Sequence, residues 1–466
     1  MVLFLSALFI TLVYLLPLYW RRLARDRARA PGDLFQPAFF FCMLGLLNVP
    51  YLFLIAADRA YASPELRLSM WVTDLERTAV QYVLLSALSL LLMMAGAYSG
   101  LAGIVGRALP VLRAERFTRA RTGRALLVAL ALGVLMYLYF VSQVGGLAFL
   151  WAHMYLRSAL GAGMGYLGMA YMLLLSVAAA LLMYRLRWTR NPLRRAATYA
   201  GVAFIGALMV STGGRSQLLT LLVLAFLIAH YAVRRRRRLV TPGTAVLGAV
   251  LFAIVLIVPL FRHRGAYDRY AGRPDVLAQA AFRNLTPIAG QFSGFDRTAV
   301  MLNYFDRADR MWLGRSYVDL LYAPIPRTFF PRKPPVDDGV YFKEIADGHP
   351  VTPSRPAYEM QPTSWPMGNL VPYMNFGLAG LLLGMFLAGV AVGAAYEWMK
   401  RSRYTPFTIY MYSYVAMGGF SLSVLGIVYF LINTLLALMF FWLFFSPKRW
   451  PRPALGAAPA LAAGAR

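Results

Sequence analysis

The sequence predicts an all-α integral membrane protein, with about eleven transmembrane helices and one large external loop containing short helices. Three observations carry this reading. The 466-residue chain is 60% hydrophobic, a composition that suits no soluble core of this size. Apolar runs recur along almost the whole length, many reaching the ~20 residues that a spanning helix needs. Most basic residues fall in short loops between those runs.

The apolar runs cover 1–20, 37–56, 79–104, 125–143, 163–184, 196–211, 217–233, 243–261, 367–396, 405–421 and 425–446. Loops 21–36, 105–124, 185–195, 234–242, 397–404 and the tail 447–466 hold 5, 6, 5, 5, 3 and 4 basic residues. They alternate with loops 57–78, 144–162 and 212–216, which hold 3, 1 and 1. Cytoplasmic loops carry the excess of Lys and Arg. The alternation therefore places the N-terminus in the periplasm and the C-terminus in the cytoplasm of a bacterial inner-membrane, multi-pass protein. Arg21-Arg22 follow the first apolar run instead of preceding it, so that run reads as a reversed anchor and not a cleaved signal.

The chain divides accordingly. Spans one to eight occupy 1–261, an external (periplasmic) loop subdomain occupies 262–366, spans nine to eleven occupy 367–446, and 447–466 is a cytoplasmic tail whose Ala/Gly/Pro composition predicts disorder. The 105-residue loop carries 14 basic and 11 acidic residues, and many of these charges are expected to form ordinary salt bridges, leaving three or four cations for a ligand. It is too rich in Tyr, Phe, Trp and Leu for disorder. Stretches 275–306 and 315–323 read as amphipathic helices, and the prolines of 324–335 demand extended backbone.

The net charge of +28 would suggest nucleic acid in a soluble protein. Here topology accounts for it, and no nucleic-acid partner is expected. Only four of the 47 basic residues are lysine, which suits a surface that grips phosphates bidentately. The single cysteine, Cys42, excludes an internal disulfide. No HxxxH or HExxH spacing occurs, and Asp337-Asp338 directly follows a Pro-Pro turn, so neither a metal nor another cofactor is expected. The spans are nearly free of acids, which argues against an ion-coupled carrier.

Candidate chemistry gathers at four places. Ser211-Thr-Gly-Gly-Arg-Ser-Gln217 joins two short apolar runs of about 16 residues. Such helices span ~24 Å of a ~30 Å hydrocarbon core, so the turn should be drawn inward, carrying Arg215 below the outer surface. Gly213 and Gly214 would let a ligand approach the backbone there, and Ser216 could donate to a phosphate. The plain alternative is a tight turn with a snorkelling arginine. Second come the loop cations: Arg283, Arg327 beside rigid prolines, Arg332 and Lys333. Third, Glu359, Asp296 and His349 are the candidate bases, although no triad spacing announces itself. Fourth, Asn369 and Asn375 near the outer end of the ninth span suit sugar hydroxyls, with Tyr317 added as a substrate contact.

Three of these features resemble the O-antigen polymerases and related oligosaccharide repeat-unit polymerases. They are the Gly213-Gly-Arg-Ser216 turn, Ile325-Pro-Arg-Thr-Phe-Phe-Pro-Arg-Lys-Pro334 late in a long external loop, and Asn375-Phe-Gly-Leu-Ala-Gly380 opening the next helix. The Arg283…Gly294 spacing fits the family's loop pattern loosely. The resemblance implies a membrane glycosyltransferase that moves a glycan from its polyprenyl pyrophosphate carrier onto the next lipid-linked unit. It implies partners as well: the polyprenyl-pyrophosphate-linked oligosaccharide, membrane lipid, a chain-length regulator and a flippase. Arg215, Arg283 and Arg327 would converge on the leaving pyrophosphate. An O-antigen-ligase-like transfer of glycan to a lipid or protein acceptor, with His349 in the loop, stays open. So does a non-enzymatic polysaccharide exporter.

Overall fold

The computed structural model describes residues 1–28, 33, 35–57, 71–156, 160–161, 163–213, 215–233, 252–254, 256–262, 265–270, 272–283, 285–325, 327, 329–361 and 363–446. Among these, every regular element is helical and nine helices are long and apolar enough to cross a membrane. The chain is thus an all-α, multi-pass membrane protein. The bundle is built from α1 (Val2–Ala28), α2 (Pro37–Leu46) continued by α3 (Val49–Ala56), α4 (Leu75–Ala97) continued by α5 (Gly100–Ala108), α6 (Arg119–Gln143), α7 (Gly165–Tyr184), α8 (Pro192–Ser211) and α9 (Arg215–Ile228). The long loop adds α10 (Pro274–Arg283), α11 (Leu285–Ser293), α12 (Phe295–Tyr304), α13 (Arg315–Tyr322) and α14 (Asp338–Ala346). The C-terminal part comprises α15 (Val371–Arg401), α16 (Pro406–Tyr414) and α17 (Val424–Phe445).

Local sequence starts these helices where expected. Asp74, Ser99, Thr118, Asn191 and Ser423 each accept a hydrogen bond from a first-turn amide of the helix they precede, satisfying donors that have no partner within the helix. Between α4 and α15 the packing relies on missing side chains. A Cβ on Gly389 would stand 2.1 Å from the Met93 carbonyl, and one on Gly96 would stand 2.1 Å from that of Phe386. Small residues let the two backbones touch, the usual device where water does not drive helices together.

The eighth span, 243–261, falls largely outside the described residues, which include its end as the short apolar helix Phe252–Phe261. The tenth is shorter than its apolar run. The nine residues of α16 run into a π-helical turn, Val415–Gly419, and stop where Gly418 takes φ +86°. Residues 402–423 nevertheless carry the chain from one end of the bundle to the other, as side-chain contacts establish. At one end Trp398 Nε1 donates to the Pro110 carbonyl at 2.8 Å, and Phe117 stacks on Phe445 at 4.4 Å. At the other, the Val424 amide reaches Asp338 of the long loop at 2.7 Å.

The long loop is no detached domain. Its buried Phe295, Met301, Phe305 and Phe342 belong to the same apolar core as Tyr51, Tyr82 and Met374 of the spans. Tyr82 donates to the Ser293 carbonyl at 2.9 Å, and Trp71 Nε1 to that of Ala346 at 3.1 Å. The predicted amphipathic stretch 275–306 is three helices, with Gly294 at φ +66° opening the last of them. Helix α14 was not foreseen.

Candidate functional site

The junction between loop and bundle is organised by a break in α15. Phe376 and Gly377 leave helical geometry, and Gly377 adopts φ 61°, ψ −147°, a conformation essentially restricted to glycine. The break releases the carbonyls of Met374 and Asn375 from the helical ladder. Loop amides take them: Trp312 N donates to Met374 O and Leu313 N to Asn375 O, both at 3.0 Å. The Asn375 side chain completes the seam, accepting from Gly314 N at 3.0 Å and donating to Ser316 Oγ at 2.8 Å. The Asn-Phe-Gly motif therefore works as a clasp that seats α13 across the ends of the spans.

Beneath α13 lies a buried polar network. Asp319 is 1% exposed and accepts from Tyr341 Oη at 2.8 Å and Ser354 Oγ at 3.0 Å. Asp338, 2% exposed, takes the Val424 amide on Oδ2, while its Oδ1 has no hydrogen-bond partner among the described residues. Burial pushes the Asp338 carboxyl up to about 7, partly offset by the Val424 amide and the Ser316 hydroxyl. Asp319 and Asp337 are raised by the same cause. On the far side of the junction, Asp296 accepts from Tyr51 Oη at 3.0 Å and is also pushed by burial to about 7. Its neighbour Arg297 donates to the Pro366 carbonyl at 2.7 Å, and burial lowers its affinity for the proton.

This arrangement overturns the expectation of a loop laced by salt bridges. Asp296, Asp319, Asp338 and Glu344 turn inward and are met by hydroxyls or backbone amides. Three loop acids pair with cations among the described residues: Asp309 with Arg307, Asp347 with Lys343, and Glu359 with Arg355. Arg283, Arg315, Arg327 and Arg332 stay exposed, with no carboxylate partner among the described residues.

The candidate residues sort as follows. Asn369 and Tyr317 come together around Leu422, whose amide donates to Asn369 Oδ1 at 3.2 Å and whose carbonyl accepts from Tyr317 Oη at 2.8 Å, while Asn375 is held in the clasp with Gly314 and Ser316. Their polar groups are thereby engaged by the chain itself. Lys333, expected to face substrate, is buried, and its ammonium donates to the carbonyls of Ala323 and Ile325 at 2.8 Å each. It acts as a cation on the C-terminal end of α13, with Arg327 near enough to add to the lowering of its pKa that burial causes. Glu359 sits at the surface beside Arg355 at 3.5 Å, and His349 is exposed.

Gly213 takes φ +77°, and Ser216 is exposed, donating to Gln217 Oε1 at 3.0 Å. Gly214 and the side chain of Arg215 lie outside the described residues. Helix α8 begins at Pro192, four residues before the apolar run and capped by Asn191, so its 20 residues span about 30 Å. The junction acid Asp319 was not among the candidates, and Asp338 was weighed only as half of a metal-binding pair. The signal for Asp319 was the spacing Ser316, Asp319, Ala323, one face of a helix whose other face is Val318, Leu321, Ile325.

No family model, curated protein or solved structure matches the chain.

Proposed function

We propose that the protein is a membrane-embedded glycosyltransferase that polymerises polyprenyl-pyrophosphate-linked repeat units into a surface polysaccharide at the outer face of a bacterial inner membrane. In this reading the chain crosses eleven times, with loop 262–366 and the N-terminus in the periplasm and the C-terminus in the cytoplasm. The observation that supports it is a set of exposed loop cations: Arg283, Arg315, Arg327 and Arg332 face outward with no carboxylate partner among the described residues, while Asp296, Asp319, Asp338 and Glu344 are buried. Exposed arginines beside a bilayer suit a phosphate-bearing lipid, which guanidinium groups hold through paired hydrogen bonds.

The reaction breaks the bond between the glycan's anomeric carbon and the pyrophosphate oxygen, and forms one to an acceptor hydroxyl. Negative charge grows on the departing pyrophosphate, and fixed cations stabilise it. Arg215, Arg283 and Arg327 take that role, with Arg332 beside them. Pyrophosphate is a good leaving group, so the acceptor proton needs only a weak base. His349 and Glu359 are the exposed candidates, whereas Asp296 is held behind Tyr51.

The test is glycan length in cells lacking the native chain and complemented with variants at matched protein level. Arg215→Ala, Arg283→Ala and Arg327→Ala should each leave single repeat units on the carrier. Full-length polymer from all three would overturn the assignment. Normal polymer that fails only to reach its final acceptor would show a ligase instead.

A further inference from the structure

Helix α13 is amphipathic in the wrong sense for water. Ser316 and Asp319 face inward at 0% and 1% exposure, while Val318 and Leu321 face outward, Leu321 at 72%. The outward apolar face extends past both ends of the helix, through Leu313 before it and Ile325 and Phe329 after it, Phe329 at 82%. A surface helix in water buries its apolar stripe and exposes its polar one. Reversal of both faces together requires an apolar medium outside the helix.

The position of the segment supplies that medium. Residues 312–323 run across the ends of three spans. They bond to Met374 and Asn375 of α15 at 3.0 Å, to Leu422 before α17 at 2.8 Å, and through the Ala323 carbonyl to Tyr166 Oη at the start of α7 at 3.3 Å. The apolar face therefore stands at the level where spans leave the hydrocarbon. Arg315, Arg327 and Arg332 are exposed along the same segment, the charge expected where phospholipid phosphates lie. Apolar side chains pointing out, cations beside them, and a location at the span ends together describe an element lying in the interface of a leaflet.

We infer that Leu313, Val318, Leu321, Ile325 and Phe329 form a membrane-interfacial wedge immersed in the phospholipid leaflet, with Arg315 on its headgroup phosphates. The occupant of this face is bulk anionic phospholipid. It is not the glycan carrier, and the inference does not depend on the enzymatic reading above. It also explains why Ser316 and Asp319 are buried: the polar groups of α13 turn away from lipid toward Asn375 and Tyr341.

Cys42 is buried, so an added surface cysteine can be labelled selectively on the full chain. Leu321→Cys and Phe329→Cys carry a bimane fluorophore in nanodiscs of phosphatidylcholine and phosphatidylglycerol without polyprenyl lipid, with Leu431→Cys on the exposed side of α17 as the lipid-facing reference. Phospholipid bearing a nitroxide near the head of its acyl chain should quench both loop labels about twofold, as expected for side chains ~5–10 Å into the boundary, and aqueous iodide should leave them unchanged. Quenching by iodide and not by lipid would overturn the inference. Quenching by neither would mean that protein covers the face, and lipid quenching that needs added polyprenyl phosphate would make it a substrate groove; either result sinks the proposal.

Discussion

Asp338 offers the sharpest test of the junction. Its carboxyl is displaced by burial from the ordinary 3.8 to about 7. A shift of about three units corresponds to ~4 kcal/mol between protonation states at ~1.4 kcal/mol per unit. The sign follows from proton linkage: the folded state holds the proton more tightly, so the contribution to stability is full below the ordinary value and is lost as pH rises toward 7. Asp296, also displaced to about 7, acts in the same direction over the same window. The protein should therefore resist heat better at pH 5 than at pH 8. Asp338→Asn keeps an oxygen for the Val424 amide and removes the charge, so it should raise thermal stability at pH 8 and flatten the pH dependence, and Asp296→Asn together with it should flatten it further. Asp338→Ala leaves the Val424 amide without its acceptor and should destabilise at both pH values. Cys42 is the natural reporter: buried when folded, it becomes reactive toward a thiol-sensitive dye as the bundle opens. An unchanged pH slope in Asp338→Asn, or a native protein more stable at pH 8 than at pH 5, would refute the argument.

Other perturbations should follow the same geometry. Tyr51→Phe removes the hydroxyl that lowers the Asp296 pKa, so the midpoint of the pH dependence should move upward in the same dye assay. Gly377→Ala forces a side chain into a glycine-only conformation with its Cβ 2.8 Å from Met311 Cε, and should cost about 1–3 kcal/mol in thermal unfolding. Gly389→Ala must push α4 away from α15, whereas Gly100→Ala meets nothing within 4 Å and should be silent in the same measurement. Reporters active only outside the cytoplasm should score at Gly272 and Gly348 and fail at Arg187; activity at Arg187 alone would invert the proposed topology.

How much of this was legible depended on which physical rule governed each segment. Apolar length located nine spans, because a bilayer imposes one requirement on all of them. At 405–421 it gave the passage but not the form, because α16 gives way after nine residues to a π-helical turn that ends at Gly418 and Gly419. It also misjudged α8, because Pro192 and Asn191 start a helix on polar residues that hydropathy assigns to the loop. In the long loop, the pattern gave helices but not their facing. Arg327 and Arg332 are exposed, while Lys333 in the same motif is engaged by two carbonyls. Asp319 was passed over because an acid in a polar loop is ordinarily a surface residue, and Asp338 was set aside because it follows the Pro334-Pro335 turn. Their burial follows from α13 presenting its polar face to the protein.

The clasp at the α15 break also bears on how the chain is made. Residues 295–346 find partners on both sides in sequence: Tyr51 and Tyr82 are synthesised before them, Met374, Asn375 and Val424 after them. While the loop emerges, Asp338 has no Val424 amide to meet and α13 has no Asn375 to seat on. Final closure must wait until the last two spans have entered the bilayer. A ribosome stalled before Val424 would hold a loop anchored along its early edge and open along its late one, a state exposed to proteases and to any chaperone stationed on that side of the membrane.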